Sequence, residues 1–340
     1  MITMFAIVMD FAERIHYFIG QPVTAKEIIF EYYLPFIPWI NGLMWPLFAL
    51  LAVIFFTSRM ASNSEIISIL SAGVSFRRLL VPYLISAGIL SSLLWLANNY
   101  VIPNSTRIKN EFYAEHIKKT EIKTHSNNFH FFTQPGEKAY IRFYKSSDTT
   151  AHTFRLEKFS DGKIKRILKA ARLTMKEAPF LWTMHDYEIR TFNGLEEELH
   201  LFRGEKKDTT FTFGPSDFVY HAKEMEMMTT GDLRNFIANE RSRGVNAAKK
   251  YEIELYRRSS DPITIIILTL IGVALASRKT RGGIGLHLAL GVVLGSAYVI
   301  LAKFSATFVN NLNLSPALGV WLPNLIFFIV SIILLIRAQK

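Results

Sequence analysis

The most regular feature of this chain is a series of long apolar runs separated by charged segments. Each run approaches the ~20 residues that an α-helix needs to cross the hydrocarbon core of a bilayer. The pattern therefore predicts complete transmembrane helices over Trp39–Thr57, Leu79–Ile102, Pro262–Ser277 (with a start upstream near Tyr256), Leu286–Val309 and Leu318–Ile336.

Another apolar run, Met1 to Met9, stops at Asp10 and is too short to span a membrane. It lacks the basic start and the small-residue cleavage site of a signal peptide. The run that ends at Thr57 must nevertheless start outside, so one more helix is needed before it. We therefore expect six transmembrane helices, the first truncated here, and an apolar upstream extension that completes it.

Basic residues assign the two sides of the membrane. Arg59, Arg77 and Arg78 flank one short connection, while Arg278 and Arg337 follow later runs. Because Lys and Arg concentrate in cytoplasmic loops, these segments are predicted to lie inside. The long stretch between the second and third complete helices is then outside.

The segment 62–75 is predicted to be a short cytoplasmic helix between two spans. Ser62 and Glu65 have the S-x-x-E spacing of a capping box. Ile66, Ile69 and Leu70 recur at helical spacing, and Gly73 is placed to end the helix. Such a helix can transmit force from a separate motor subunit. The alternative is an ordinary amphipathic helix on the membrane surface.

Between residues 104 and 255 the apolar period changes to two. About seven short runs, such as KAYIRFY, HTFRLEKF, EELHLF (197–202) and TTFTF (209–213), are separated by Asp161-Gly162, Asn193-Gly194 and other turn signals. The spacing predicts an antiparallel sandwich or jelly roll. We therefore divide the chain into transmembrane helices 1–3 (1–103), an external β domain with helical flanks (104–255) and transmembrane helices 4–6 (256–340).

Composition agrees with a membrane protein that carries a water-facing domain. Half of the residues are hydrophobic, a fifth are charged, and the net charge is +11. The sequence has no basic stripe with interleaved aromatic residues, which is the pattern that would indicate nucleic-acid binding. With no cysteine, the sequence also has no disulfide framework and no thiolate zinc site.

Motifs for catalysis are missing from the sequence. There is no G-x-x-x-x-G-K-[ST] phosphate loop, no H-E-x-x-H and no G-x-S-x-G. The glycine cluster at 281–285 lacks the Lys-Ser/Thr pair and is better explained as a flexible turn. We expect no cofactor or metal to be bound by this chain.

The order of these segments resembles the LptF/LptG permease family. The similarity is carried by SEIISILSAGVSF, by YEIELYRRSSDPITIIILTLIGVALASRKTRGGIGLHLALGVVLGSAYV and by LSPALGVWLPNLIFF, and it covers essentially the whole chain. It implies a membrane α-helical bundle of six transmembrane helices with an inserted antiparallel β jelly-roll domain in the periplasm.

The resemblance also implies a function and partners. It indicates a subunit without catalysis of its own in the bacterial inner membrane, extracting lipopolysaccharide from that membrane. Expected partners are a homologous LptF/LptG-like permease, a dimeric cytoplasmic LptB-like ATPase that holds the ATP and Mg²⁺, and an LptC/LptA-like periplasmic bridge. For docking on the ATPase we single out the predicted cytoplasmic helix, with Glu65, Ile66, Ile69, Leu70 and Ser75.

Two groups of residues are candidates for binding the lipid. The first is cationic and is predicted at headgroup level, because ionisable residues inside a membrane are functional candidates; it comprises Lys303, Arg14, Arg257 and Arg258. For Lys303 the alternative is simple snorkelling to the interface. The second group is aromatic and would line an acyl-chain cleft of the β domain; it includes Phe143, Phe154 and Phe211. The alternative is that these rings form the core of that domain.

Two other function classes compete with transport. A membrane-anchored periplasmic adaptor would need no ATPase and would tolerate changes around Glu65. An intramembrane enzyme would need polar catalytic groups deep in the spans, where the sequence offers Lys303 and scattered Ser, Thr and Asn.

Overall fold

The computed structural model describes residues 2–19, 23–113, 116, 127–145, 148–160, 162–177, 180–194, 196–214, 224–242, 248–280, 282–311 and 314–338. Within these ranges, five helical segments are long and apolar enough to cross a membrane. They are Ala25–Ser62, Phe76–Phe112, Ala248–Ala276, Gly283–Val309 and Pro316–Ala338. The five complete spans expected from the apolar runs are thus present.

The helices follow the order expected from the sequence. Two π-helical turns, Ile28–Tyr33 and Ala97–Val101, interrupt the first two of these segments. The α-helices are α1 (Ile2–Ile19), α2 (Ala25–Glu27), α3 (Leu34–Ser62), α4 (Glu65–Ser71), α5 (Phe76–Leu96), α6 (Ile102–Phe112), α7 (Glu224–Met227), α8 (Thr230–Ser242), α9 (Ala248–Ala276), α10 (Gly283–Asn311) and α11 (Pro316–Ala338).

The first helix is longer than its apolar run. The apolar run ends before Asp10, and we expected Arg14 to lie just outside the first helix, but α1 continues through both residues. The Asp10 carboxylate accepts hydrogen bonds from the side chains of Arg14, Tyr32 and Tyr33. A carboxylate with these partners can be accommodated within a partly apolar helix.

The spans pack through an apolar centre and a polar network. Leu50 and Ile54 of α3 are fully buried against Leu268 and Ile271 of α9. Nearby, the Thr264 hydroxyl lies 2.6 Å from the Tyr298 hydroxyl and 2.9 Å from Asn324 Oδ1. The Asn324 amide also donates to the Ser260 carbonyl at 3.0 Å. These buried polar groups satisfy one another and connect α9, α10 and α11.

The inserted β domain is one antiparallel sheet in the order β1-β2-β3-β4-β5-β6. Its strands are β1 (Asn127–Gln134), β2 (Glu137–Lys145), β3 (Thr150–Ser160), β4 (Lys163–Glu177), β5 (Leu181–Asn193) and β6 (Glu196–Thr210). The expected inserted antiparallel domain is therefore confirmed. Its described strands form a meander of neighbours, rather than the Greek-key order of a jelly roll.

One face of this sheet carries the core of the β domain. Trp182 is fully buried, and its indole Nε1 donates to the Phe213 carbonyl at 3.1 Å. The chain leaves β6 at Thr210 and crosses the sheet, because Phe213 contacts Phe131 of β1 as well as Phe154 of β3. Residues 209–213, expected to be a strand of their own, are instead the end of β6 and this crossing segment.

The chain forms two compact units. One comprises residues 1–110, 225–234 and 249–340, and the other comprises residues 111–224 and 235–248.

Candidate functional site

The short helix α4 is fixed at both ends by its backbone. It begins after Ser64, which has a left-handed conformation with φ of 63°. At its other end the Gly73 amide donates to the Leu70 carbonyl, and the Val74 amide donates to the Ile69 carbonyl. This pair of bonds is a Schellman motif, and Gly73 has the positive φ of 85° that the motif requires. The predicted helix end at Gly73 is confirmed.

The predicted capping box at the start of α4 is wrong. Ser62 is the last residue of α3, and Ser64 precedes α4 without a side-chain cap. The Glu65 carboxylate instead accepts a hydrogen bond of 3.0 Å from the Asn63 side chain. A left-handed residue between two helices replaces the extended backbone that a capping residue normally has.

Ile66 attaches α4 to the ends of the spans. Its side chain is 1% exposed and packs in a cluster with Ala61 of α3, Phe76 and Leu80 of α5 and Val273 of α9. Ile66, which we expected to meet the ATPase, therefore contacts its own chain. Because the side chain is buried, Ile66 positions the helix rather than binding a partner.

The exposed face of α4 has a different composition from the predicted one. Glu65 is exposed, and Leu70 is 38% exposed. Ile67, which the sequence analysis did not select, is 52% exposed. Ile69 is partly buried against the span ends, and Ser75 caps α5 by accepting from the Arg78 amide. The outward surface thus combines one carboxylate with two aliphatic side chains.

A second site lies where α1 meets the first π-helical turn. The guanidinium of Arg14 donates to Asp10 Oδ1 at 2.8 Å, and the Tyr32 hydroxyl donates to Asp10 Oδ2 at 3.0 Å. The Tyr33 hydroxyl approaches the same oxygen at 3.5 Å. Sequence reasoning missed this cluster. The signal in the sequence was Asp10, an acidic residue directly after an apolar run.

An apolar groove of about 590 Å³ runs beside this cluster. Phe11, Ile15 and Phe18 of α1 form one wall, and Ile28 and Ile29 form part of the other. Tyr33 belongs to both the groove and the Asp10 cluster. The groove can accept hydrocarbon chains, with an Arg–Asp pair next to it.

The other predicted cations lie on α9 and α10. Arg257 pairs with Glu254 at 2.9 Å and approaches Asp261 at 3.9 Å. Lys303 is exposed on α10 and interacts electrostatically with Asp261. Arg257 and Lys303 are therefore both within electrostatic range of Asp261.

Arg258 is not available for a lipid headgroup. Its side chain is 4% exposed and donates to Glu254, to the Thr230 hydroxyl and to the Met225 and Met228 carbonyls. These bonds hold residues 225–230 against α9, so Arg258 is a structural anchor. Thr230 in turn donates to Asn99 Oδ1 at 2.6 Å, which extends the network to the second π-helical turn.

Two of the three aromatic candidates in the β domain belong to its core. Phe154 is 1% exposed and Phe211 is 8% exposed, and their ring centroids are 5.3 Å apart. Phe143 is different, since it stacks on His152 at 4.2 Å and is only partly buried. Phe211 also lines a cavity of about 320 Å³ together with Leu156, Leu168 and Phe213.

Metal ligands are not clustered in the described part of the chain. There, no group of three or more His, Asp or Glu side chains could hold a metal ion.

Comparison with known proteins identifies the family. A family model described as lipopolysaccharide export system permease LptF/LptG matches residues 1–337, essentially the whole chain. A comparison with curated proteins found no match. Together with the five spans and the inserted antiparallel sheet, the match over this length shows that the chain belongs to the LptF/LptG family of lipopolysaccharide export permeases.

Proposed function

We propose that this chain is the permease subunit of an ABC-type exporter that extracts lipopolysaccharide from the inner membrane and passes it to a periplasmic bridge protein. Family membership supports lipopolysaccharide export. In this proposal a homologous permease completes the membrane part, and a dimeric cytoplasmic ATPase supplies the energy. The observation that carries the proposal is the attachment of α4 to the spans.

Helix α4 has the two properties that force transmission needs. Its buried residue Ile66 contacts the ends of α3, α5 and α9, so a displacement of α4 must move three spans. Its outward residues Glu65, Ile67 and Leu70 present a small mixed surface that can enter a groove of a partner. Burial of two aliphatic side chains would contribute roughly 1.5–3 kcal/mol each.

The docking surface can be tested with an exposed isoleucine as matched control. The variants Ile67→Asp and Ile164→Asp place the same charge at exposed positions, on α4 and on strand β4 respectively. Co-purified with the ATPase and the second permease and reconstituted in liposomes, Ile67→Asp should lose at least tenfold in ATP-driven lipopolysaccharide release. Ile164→Asp should remain near wild type.

The same experiment separates the competing function. A membrane-anchored adaptor would bind no ATPase, so wild-type protein purified from membranes would bring none with it. Normal ATP-driven release by Ile67→Asp would show that α4 does not dock through this face.

We further propose that the α1 groove receives acyl chains, with the Arg14–Asp10 pair at its border next to the lipid phosphate. Hydrocarbon chains suit the apolar walls, and Arg binds phosphate bidentately. A photo-crosslinker at Ile15 should give lipopolysaccharide adducts, whereas one at Ile265, which is 1% exposed, should give none. Equal yields at the two positions would remove the groove from the substrate path.

In this proposal the acyl-chain site of the β domain is smaller than the aromatic cleft predicted from the sequence. Phe154 belongs to the core, while Phe211 lines the 320 Å³ cavity, which is large enough for part of an acyl chain. We propose this cavity, rather than the whole aromatic face, as the acyl-chain contact of the β domain.

A further inference from the structure

The period-two pattern of the sheet is broken once in four consecutive strands. Buried side chains that should be two residues apart are three apart at this point. The pairs are Ile141 and Tyr144 on β2, Ala151 and Phe154 on β3, Ala170 and Leu173 on β4, and Met184 and Tyr187 on β5.

These breaks lie in register and form a continuous line across the sheet. Ile141 pairs with Phe154, Phe154 pairs with Ala170, and Ala170 pairs with Tyr187. The register from β2 to β5 continues through these breaks without a shift, so the breaks lie side by side on neighbouring strands. We call this line the crease; it contains Arg142, Thr153, Ala171 and Asp186, and it reaches β6 at Arg203 and Gly204.

The backbone of the crease is left-handed at several positions. Thr153 has φ of 55°, Asp186 has φ of 49° and Gly204 has φ of 75°. A non-glycine residue in this region costs roughly 1–2 kcal/mol. At Asp186 the side chain accepts a hydrogen bond of 2.7 Å from the Gly204 amide, which fixes the crease between β5 and β6.

A groove of about 720 Å³ follows the crease on the outer face of the sheet, opposite the core. This volume lies within the range of ligand sites in proteins. The groove crosses strands β2 to β6, and its lining includes Tyr140, Arg155, Lys169, Glu188, Leu201 and Arg203.

Among the residues that line this groove, three cations (Arg155, Lys169 and Arg203) outnumber two carboxylates (Asp186 and Glu188). Glu188 is engaged by Lys169 at 2.8 Å and by Arg190 at 3.5 Å, so its charge is compensated. Arg203 is exposed and forms no ion pair with any residue that the structure describes.

The next row of the same face adds two more cations. Arg172 pairs in register with His185, and His185 pairs with Lys206. Burial lowers the pKa of the His185 imidazole, and Lys206 and Arg172 lower it further, which shows that both cations act on this row. Like Arg203, both are exposed and have no ion-pair partner in the described ranges.

Apolar surface accompanies these cations. Tyr140 and Leu201 lie at opposite ends of the groove, and the Arg155 guanidinium lies 5.7 Å from the centre of the Tyr140 ring. Flat apolar surfaces between cationic groups suit sugar rings that carry phosphates. An acyl chain would leave the charges unpaired, and an acidic peptide would not need the aromatic surface.

We propose that the crease groove binds the phosphorylated saccharide of the exported lipid, on the outer face of the β sheet. The inference rests on the proposed function, since it assigns a second contact to the same substrate. The cations Arg172, Arg203 and Lys206 pair with phosphates, while Tyr140 and Leu201 contact sugar rings. The saccharide is thereby held on the opposite face from the acyl-chain cavity at Phe211.

The test uses the full chain in nanodiscs and lipopolysaccharide saccharide from which the acyl chains have been removed. The variant Arg203→Glu/Lys206→Glu reverses two charges of the site. The control Lys163→Glu/Lys165→Glu makes the same charge change at exposed residues of β4 away from the groove. We expect the first variant to weaken saccharide binding at least tenfold and the control less than twofold. Wild type should also prefer the phosphorylated saccharide over its dephosphorylated form at least tenfold.

Several results would overturn the proposal. If the control variant weakened saccharide binding equally, the effect would come from net charge alone. If the dephosphorylated saccharide bound as tightly as the phosphorylated one, phosphate recognition would be excluded. Equally tight binding of a polyglutamate peptide would make the groove a protein interface. Intact lipopolysaccharide, measured in parallel, separates the two proposals: binding of the intact lipid without the saccharide removes only the groove, whereas binding of neither removes the proposed function.

Discussion

The Ser58 hydroxyl lies 2.7 Å from His287 Nδ1 and joins the end of α3 to the beginning of α10. Both side chains are buried, at 1% and 3% exposure. The other ring nitrogen, Nε2, lies 3.3 Å from the Thr280 hydroxyl in the preceding connection. Ile66 of α4 packs against α3, α5 and α9. Because α4 directly follows α3, the Ser58–His287 contact links α4 to a further span, α10.

The Ser58–His287 contact should contribute measurably to stability. In His287→Phe the ring volume is kept but both hydrogen bonds are lost, and Ser58 stays buried. We expect the free energy of unfolding to fall by about 1–3 kcal/mol, the cost of an unsatisfied buried polar group. Ser58→Ala/His287→Phe should cost less than the sum of the two single variants, as measured by unfolding in mixed micelles. Strict additivity would mean that the two residues do not interact. The control is Ser92→Ala, at an exposed position of α5.

Glu65 should matter for its charge and not for helix capping. Because its exposed carboxylate accepts a hydrogen bond from the Asn63 side chain and does not cap α4, Glu65→Gln and Glu65→Ala should both change stability by less than ~0.5 kcal/mol. Both variants should reduce lipopolysaccharide release by the reconstituted exporter to a similar extent. Normal release by Glu65→Gln with a defect in Glu65→Ala would instead indicate that a hydrogen bond is the important contact.

The spans were predictable because apolar length is a strong signal, but their ends were not. We placed the start of the third complete span near Tyr256, whereas α9 begins at Ala248. The additional turns contain Glu254, which is buried and bonded to Arg258 one turn further along α9. In the sequence alone, Arg258 is a charged residue with no visible reason to be buried. Its partners at Met225, Met228 and Thr230 belong to a distant segment, so the sequence does not show that its hydrogen bonds are satisfied.

The sheet was predictable as antiparallel, but its detail was not. Short period-two runs indicated about seven strands, because residues 197–202 and 209–213 form separate runs in the sequence. The structure continues β6 through Gly204 by means of the Asp186 bond. The three-residue spacing from Met184 to Tyr187 is a signal that was visible in the sequence. It becomes meaningful only when the register aligns it with the same spacing on the neighbouring strands.

The exposed side of α4 was predictable only in part, for a similar reason. Helical spacing put Ile66 and Leu70 on one side of α4, and it could not show which side the span ends would cover. The positive φ of Ser64 sets the direction of α4, and no pattern in the sequence predicts a left-handed backbone conformation at a serine. Ile66 is therefore buried while Ile67 is exposed.

Gly319 should not tolerate even a methyl group. A Cβ at this position would overlap Cγ2 of Val309, which is fully buried and belongs to a stiff β-branched side chain. We expect Gly319→Ala to lower the free energy of unfolding by about 1–3 kcal/mol, as overpacking does. Gly88→Ala is the matched control, because a Cβ there meets nothing within 4 Å and alanine favours the helix. Equal stability of the two variants would show that α10 and α11 are not packed as described.

Lys303 should bind lipid phosphate rather than merely balance Asp261. Loss of a charged hydrogen bond costs about 1.5–3 kcal/mol, so Lys303→Gln should weaken lipopolysaccharide binding roughly tenfold or more. Lys303→Glu should weaken it further, because a carboxylate repels phosphate. The alternative role of Lys303 is to compensate the negative charge of Asp261, with which it interacts electrostatically. The double variant Lys303→Gln/Asp261→Asn separates the two roles in a binding assay with purified protein in nanodiscs. A persistent defect supports lipid binding, whereas recovery of wild-type affinity would leave Lys303 as the counter-charge of Asp261.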